Sequence, residues 1–156
     1  MKWSQVCEDK TLQDLPYKVE LNQWGQIVMS PASNKHGRYQ SRLNLLASRF
    51  LKTGETISEC SIATPKGVKV ADVAWASEKF IRKYSYRTPY PAAPELCIEI
   101  VSPSNSSEEI QEKIALYLAK GAREVWVCNE EGEIDFYAPK GRLLKSKLAP
   151  RFPQKL

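Results

Sequence analysis

The chain has no apolar run near the roughly 20 residues that a bilayer-spanning helix needs, so no membrane partner is expected. Its opening residues, Met1-Lys2-Trp3-Ser4-Gln5-Val6-Cys7-Glu8-Asp9, lack the apolar centre of a secretory leader. Cysteine is sparse: Cys7, Cys60, Cys97 and Cys128 lie far apart with no CxxC pair. Cys97 and Cys128 fall in apolar segments, which points to buried free thiols and argues against a disulfide framework or a zinc site. A cytoplasmic protein is the expectation. No internal repeat, low-complexity tract or phosphate-cradling glycine loop is present, and the last absence disfavours a hydrolase of small phosphate esters. There is one histidine, His36, read here as a surface or capping residue at the start of a helix.

What is present is one domain's worth of chain, 156 residues, with 42% hydrophobic and 26% charged residues. The 23 basic residues outnumber the 18 acidic ones, giving a formal net charge of +5. A polyanionic partner is compatible with that charge, although many enzymes of other kinds carry as much. A homodimer is equally compatible.

Two acids stand out. Asp72 lies within Val68-Lys69-Val70-Ala71-Asp72-Val73-Ala74-Trp75-Ala76, and Glu99 within Leu96-Cys97-Ile98-Glu99-Ile100-Val101. Both runs are short, aliphatic and bounded by turn residues, so they read as buried strands. An unpaired carboxylate in such a strand costs several kcal/mol in the usual estimates, so a partner or a metal is required. Oxygen-only ligands favour a hard ion such as Mg²⁺ or Mn²⁺, and a single cation between Asp72 and Glu99 would satisfy both. The alternative is that each acid pairs with a nearby lysine or arginine, or accepts backbone hydrogen bonds.

Around them the pattern alternates strand and helix. Tyr17–Leu21 and Gln26–Met29 flank a turn at Gly25 and read as an N-terminal hairpin after a short segment over 12–15. Pro31 ends it, and Ser33 or Asn34 can cap a helix with Tyr39, Leu43, Leu46 and Phe50 on its core face. A second hairpin pairs Thr56–Ile62 with Val68–Ala76. Ser77 to Pro94 reads as a basic, aromatic surface loop containing Lys79, Phe80, Arg82, Lys83, Tyr84, Tyr86, Arg87 and Tyr90, which suits a solvated loop or a flap on nucleic acid. After the Glu99 strand, Ser106 and Glu109 form a capping-box signature for a helix that stops at Gly121. On that helix Lys113 falls on the apolar stripe of Ile110, Ile114 and Tyr117, where its stem can extend toward the acids. Strands over 124–128 and 134–137 follow, the first parallel to the Glu99 strand. The basic tail over 139–156 is expected to be poorly ordered.

The run Val70-Ala71-Asp72-Val73-Ala74, then Pro94-Glu95-Leu96-Cys97-Ile98-Glu99-Ile100-Val101-Ser102-Pro103, then Lys113, Tyr117 and Gly121-Ala122-Arg123-Glu124-Val125-Trp126-Val127, resembles the Uma2 family. Once catalogued as a domain of unknown function, that family is placed in the PD-(D/E)XK nuclease superfamily. The segment Gly25 to Pro31 followed by His36 is similar to its opening hairpin and first helix. The resemblance covers about residues 11–138, with Glu99 to Trp126 its most specific block. It implies an α/β, restriction-endonuclease-like core: a central mixed β-sheet flanked by helices, with an N-terminal β-hairpin.

The same resemblance implies Asp72 and Glu99 as catalytic metal ligands and Lys113 as the catalytic lysine. Three departures are visible. Ala71 replaces the proline of the PD pair, Val101 occupies the usual E-x-K lysine position, and no acid lies between Gly37 and Leu51. The expected function is Mg²⁺- or Mn²⁺-dependent hydrolysis of nucleic-acid phosphodiesters, with DNA the expected substrate. The alternative is a non-catalytic nucleic-acid- or protein-binding module on the same fold.

Overall fold

The computed structural model describes residues 1–156. A two-stranded hairpin, β1 (Tyr17–Leu21) and β2 (Ile27–Pro31), forms a small sheet of its own beside a six-stranded one. The sheet is built from β3 (Glu55–Thr64), β4 (Gly67–Ala76), β5 (Leu96–Ile100), β6 (Glu124–Cys128), β7 (Ile134–Ala138) and β8 (Gly141–Leu143), in that spatial order. Only β5 and β6 are parallel; every other pairing is antiparallel. The crossover between them is the helix α4 (Ser107–Ala119).

All five positions of β5 and of β6 are buried, as continuous apolar runs covered on both faces require. One face packs Leu96, Ile98 and Ile100 with Val73, Trp75 and Trp126 against Leu43 of helix α2 (Asn34–Phe50). The other packs Cys97, Ala74 and Val125 against Ile110, Ile114 and Tyr117 of α4. Asp72 and Glu99 sit inside this framework at 1% and 2% exposure, so the sequence expectation that they are buried holds.

Local signals explain the elements that place them. Ser106 Oγ accepts from the Glu109 amide at 3.1 Å while Glu109 Oε2 accepts from the Ser106 amide at 3.0 Å, a reciprocal cap for α4. The α2 cap is Ser33, whose side chain accepts from the His36 amide. Gly67, at φ +90°, turns β3 into β4 where the first hairpin comes closest. A Cβ there would lie 2.2 Å from the Leu21 carbonyl oxygen, so glycine alone lets β1 settle against β4.

Two expectations need correction. The region 77–94 is not a simple loop: Ser77 caps a helix α3 (Glu78–Tyr84), and Phe80, Tyr84 and Tyr90 pack on one another at 4.7–6.3 Å. Those rings are therefore committed to packing, and only Tyr86 stands fully outward, beside exposed Lys79, Arg82, Lys83 and Arg87. The tail beyond 138 is ordered. It adds β8 and buries Ala149 and Phe152, the latter 4.5 Å from the Trp126 ring. On α2 the expected face holds: Leu43 is fully buried, Tyr39 and Leu46 pack on the same core, and Phe50, 37% exposed, lies at its edge 5.4 Å from the Phe152 ring, while Ala47 joins the buried face. A short helix α1 (Trp3–Glu8) and a 3₁₀ turn over Lys10–Leu12 were not foreseen.

Candidate active site

Asp72 enters the site from the middle of β4 and Glu99 from the end of β5. Antiparallel pairing of Val73 with Ile98 brings the two residues side by side. Each carboxylate is pinned by one oxygen. Asp72 Oδ2 accepts from the Ile100 amide at 2.7 Å, and Glu99 Oε1 accepts from the Tyr117 hydroxyl at 2.7 Å. The remaining oxygens, Asp72 Oδ1 and Glu99 Oε2, converge on one point. That point holds the Lys18 ammonium, 2.9 Å from the first and 3.3 Å from the second.

Lys113 lies deeper. Its Nζ donates to Glu99 Oε2 at 3.2 Å and to Glu20 Oε1 at 2.9 Å. Glu20 Oε1 also accepts from the Val70 amide at 2.8 Å, so β1 supplies a third buried acid, tied to β4. His36 of α2 places Nε2 3.3 Å from Asp72 Oδ1. Across from Asp72, the β3–β4 ladder omits the Glu59 pair, and Glu59 takes φ +52°, left-handed and strained for a non-glycine residue. Gln40 spans this interruption, donating to Glu59 Oε1 at 2.6 Å and to the Asp72 carbonyl at 2.8 Å.

The three residues singled out from the sequence are thus brought together: Asp72, Glu99 and Lys113 share one constellation. Lys18 and Glu20 were not anticipated as members, and His36 faces Asp72 rather than serving only at the helix start. The sequence signal in β1 is weak. Lys18 and Glu20 occupy alternate positions of a strand, which is the pattern of a solvent-facing polar edge as much as of a site.

Electrostatics follow from burial and proximity. Burial alone would push the Lys18 ammonium toward deprotonation, but the charges of Glu99, Asp72 and Glu20 overcome it and hold its pKa well above the lysine range. Burial works to raise the Asp72 pKa, yet Lys18, His36 and the Ile100 amide hold it far below the carboxylate range. Glu99 goes the other way: burial, with Asp72 and Glu20 adding repulsion, outweighs Lys113 and Lys18 and raises it. Glu20, despite burial, is lowered by Lys113 and Lys18. The two acids at the centre therefore differ in proton affinity, as functional carboxylate pairs often do.

The pairing of His36 with Asp72 raises the imidazole pKa above 6.5, against a smaller opposing effect of burial. A raised cationic group contributes stability that is complete below about 6.5 and is lost as pH rises through the folded value. In chelator-containing buffer the stability advantage of the wild type over His36→Gln should therefore shrink as pH climbs above 6.5. Melting curves across the neutral range check it, and an advantage that grows with pH would refute the pairing.

The groups face a cleft of about 500 Å³ floored by Lys18, His36, Asp72, Glu99 and Lys113, with Trp3 and Leu12 on its apolar wall. Oxygen donors converging on a point where a cation already fits suit a hard divalent ion such as Mg²⁺ or Mn²⁺. A second, mixed set exists on the rim, where ligand atoms of His36, Glu59 and Asp72 lie within 4.8 Å of one another.

Comparison with known proteins bears on the fold and on the family. A crystal structure of a putative nuclease belonging to DUF820 from Anabaena variabilis ATCC 29413 superimposes with a TM-score of 0.65. It shares 20% identity and covers 78% of this chain and 72% of its own, a likeness that speaks to the fold alone. No curated protein matches the sequence. The sequence profile of Uma2, described as "Putative restriction endonuclease", matches residues 9–154, which spans both β1 with Lys18 and Glu20 and the packed C-terminal segment. With nearly its whole length matched, the chain belongs to the Uma2 family.

Proposed function

We propose that this chain, acting as one domain, is a metal-dependent endonuclease that hydrolyses phosphodiester bonds in DNA, with Asp72, Glu99 and Lys113 as its catalytic residues. The observation that carries the reading is the convergence of Asp72 Oδ1 and Glu99 Oε2 on one cation position at the floor of an open cleft. Asp72 and Glu99 would hold Mg²⁺ or Mn²⁺. Such an ion, when bound, lowers the pKa of a water and offsets charge growing on a phosphoryl oxygen.

The chain's own residues supply the rest. Tyr117 and the Ile100 amide fix the two carboxylates, so little reorganisation is needed when substrate arrives. Lys113 adds a buried positive charge beside Glu99, positioned to stabilise negative charge in the transition state. Exposed Lys79, Arg82, Lys83 and Arg87 offer the sequence-independent contacts that a phosphate backbone takes. The setting is a cytoplasmic protein, and a homodimer would bring two sites to one duplex.

A second reading, a non-catalytic binding module, draws on a specific fact: the acids already have cationic partners in Lys18 and Lys113. The deciding experiment titrates Mg²⁺ and Mn²⁺ with and without a DNA duplex, following binding and cleavage together. Metal-dependent cleavage should appear, and Asp72→Asn should lower it by about a hundredfold or more. Duplex binding without cleavage across several divalent ions would establish the module instead.

A further inference from the structure

The position of Lys18 decides how a divalent ion can enter. Its ammonium stands between Asp72 Oδ1 and Glu99 Oε2, at hydrogen-bond distance from both and 4.0 Å from Glu20 Oε1. An ion bridging those two oxygens would need roughly 2.0–2.1 Å to each, and so the same space. Lys113 shares Glu99 Oε2 with Lys18, but its other bond goes to Glu20 and it makes no contact with Asp72, so only Lys18 occupies the space between the two acids.

Charge points the same way. Three buried carboxylates, Glu20, Asp72 and Glu99, are met by two ammonium groups, with His36 at the edge. A divalent ion added beside both lysines would leave the buried cluster with surplus positive charge. The same ion in exchange for Lys18 leaves the three carboxylates balanced by the ion and Lys113 when His36 is neutral. Two like charges in one desolvated pocket are costly, so the exchange is the favoured route.

We propose that Lys18 is an internal competitor for the divalent ion: metal loading displaces its ammonium from the Asp72–Glu99 pair and turns it into the cleft as a phosphate-binding group. The inference rests on the metal-dependent reading above. The side chain is equipped for it. Lys18 lines the cleft, its side chain is 11% exposed, and a four-carbon stem lets the ammonium swing without moving β1. Once displaced, the ammonium has lost its hydrogen bonds to Asp72 and Glu99, and a phosphodiester lying in the cleft is the anion that can replace both. Substrate then favours metal loading and metal favours substrate, by the same factor in each direction.

The test is calorimetric titration of Mn²⁺ into the full chain, comparing wild type, Lys18→Met and Glu99→Gln. With the competitor present, only the displaced fraction binds metal, so removing it should tighten Mn²⁺ binding by about tenfold or more. Glu99→Gln should lose the binding, which places it at this pair. Equal or weaker binding to Lys18→Met, with normal wild-type binding, overturns the exchange and leaves the nuclease reading intact. No Mn²⁺ binding by either protein overturns both. Should Lys18→Met fail to fold, amine labelling of the wild type gives the same answer. Saturating Mg²⁺ should raise labelling of Lys18 several-fold while Lys113 stays protected, and unchanged Lys18 labelling with Mg²⁺ bound overturns the proposal.

Discussion

Glu124→Gln is expected to lower stability by about 2–6 kcal/mol and to free the C-terminal segment from the sheet. Glu124 is 2% exposed at the start of β6, and its carboxylate is surrounded by donors. Oε2 accepts from Trp126 Nε1 and Ser146 Oγ, each at 2.7 Å. Oε1 accepts from the Lys147 and Leu148 amides at 2.7 and 3.0 Å. Glutamine has one acceptor oxygen, so two of the four donors would face an NH₂ group and lose their partner. Each orphaned buried donor costs about 1–3 kcal/mol, which sets the range. In a domain of this size that is a fall in Tm on the order of 10 °C. The amides of Lys147 and Leu148 anchor the chain just before Ala149 and Phe152 enter the core, so tryptic cleavage near Lys145 and Lys147 should accelerate in step. A Tm within about 2 °C of wild type, well under that expected fall, and an unaltered digestion pattern would show that the carboxylate does not hold the tail.

That tail shows where sequence reading fails and why. Its lysines, arginines and prolines are real surface features, but a few apolar residues carry its packing: Ala149 and Phe152 are buried, Leu143, Leu148 and Leu156 pack beside them, and the Phe152 ring meets Trp126 on β6 and Phe50 on α2. Average composition hides so small an apolar set. The same holds for 77–94, where exposed basic residues outnumber the Phe80, Tyr84 and Tyr90 contacts that define the segment. By contrast, the elements around Glu99 were readable because their signals are local: a cap at Ser106, a glycine at 121, and Lys113 on an apolar stripe within one helix.

The site was half legible for a related reason. Asp72, Glu99 and Lys113 betray themselves by being charged where their own segments are apolar. Lys18 and Glu20 do not, since alternation along β1 is ordinary in a half-exposed hairpin. Their significance arises only when β1 docks on β4, which sets Lys18 beside partners 54 and 81 residues away. His36 was misjudged likewise. Its reading as a surface residue is natural at a helix start, and only the docking of α2 beside β4 turns its ring onto Asp72. The close fit at Gly67 is the sequence feature that permits such docking, but nothing nearby says what approaches it.

Lys113→Met is expected to destabilise the protein by about 3–5 kcal/mol and to lower DNA cleavage by about a hundredfold beyond what the loss of folded protein explains. The first effect follows from geometry. Lys113 joins Glu20 and Glu99, at 7% and 2% exposure, and its removal leaves both with Lys18 as their nearest cation, 4.0 and 3.3 Å away. Methionine is an unbranched apolar side chain that fills most of the space of the lysine stem on the buried face of α4, so the lost charge, not a cavity, is responsible. The second effect separates a structural lysine from a catalytic one, and Glu20→Gln in the Lys113→Met background makes the separation. Glutamine at position 20 can still accept from the Val70 amide but carries no charge needing a partner. The double variant should regain much of the lost stability, since the two changes act on one ion pair and are not additive. Its cleavage should stay low, because the positive charge beside Glu99 is still missing. Melting temperature and single-turnover cleavage measured on the same preparations decide it. Cleavage that recovers in proportion to stability would make Lys113 the counter-charge of Glu20 and nothing more.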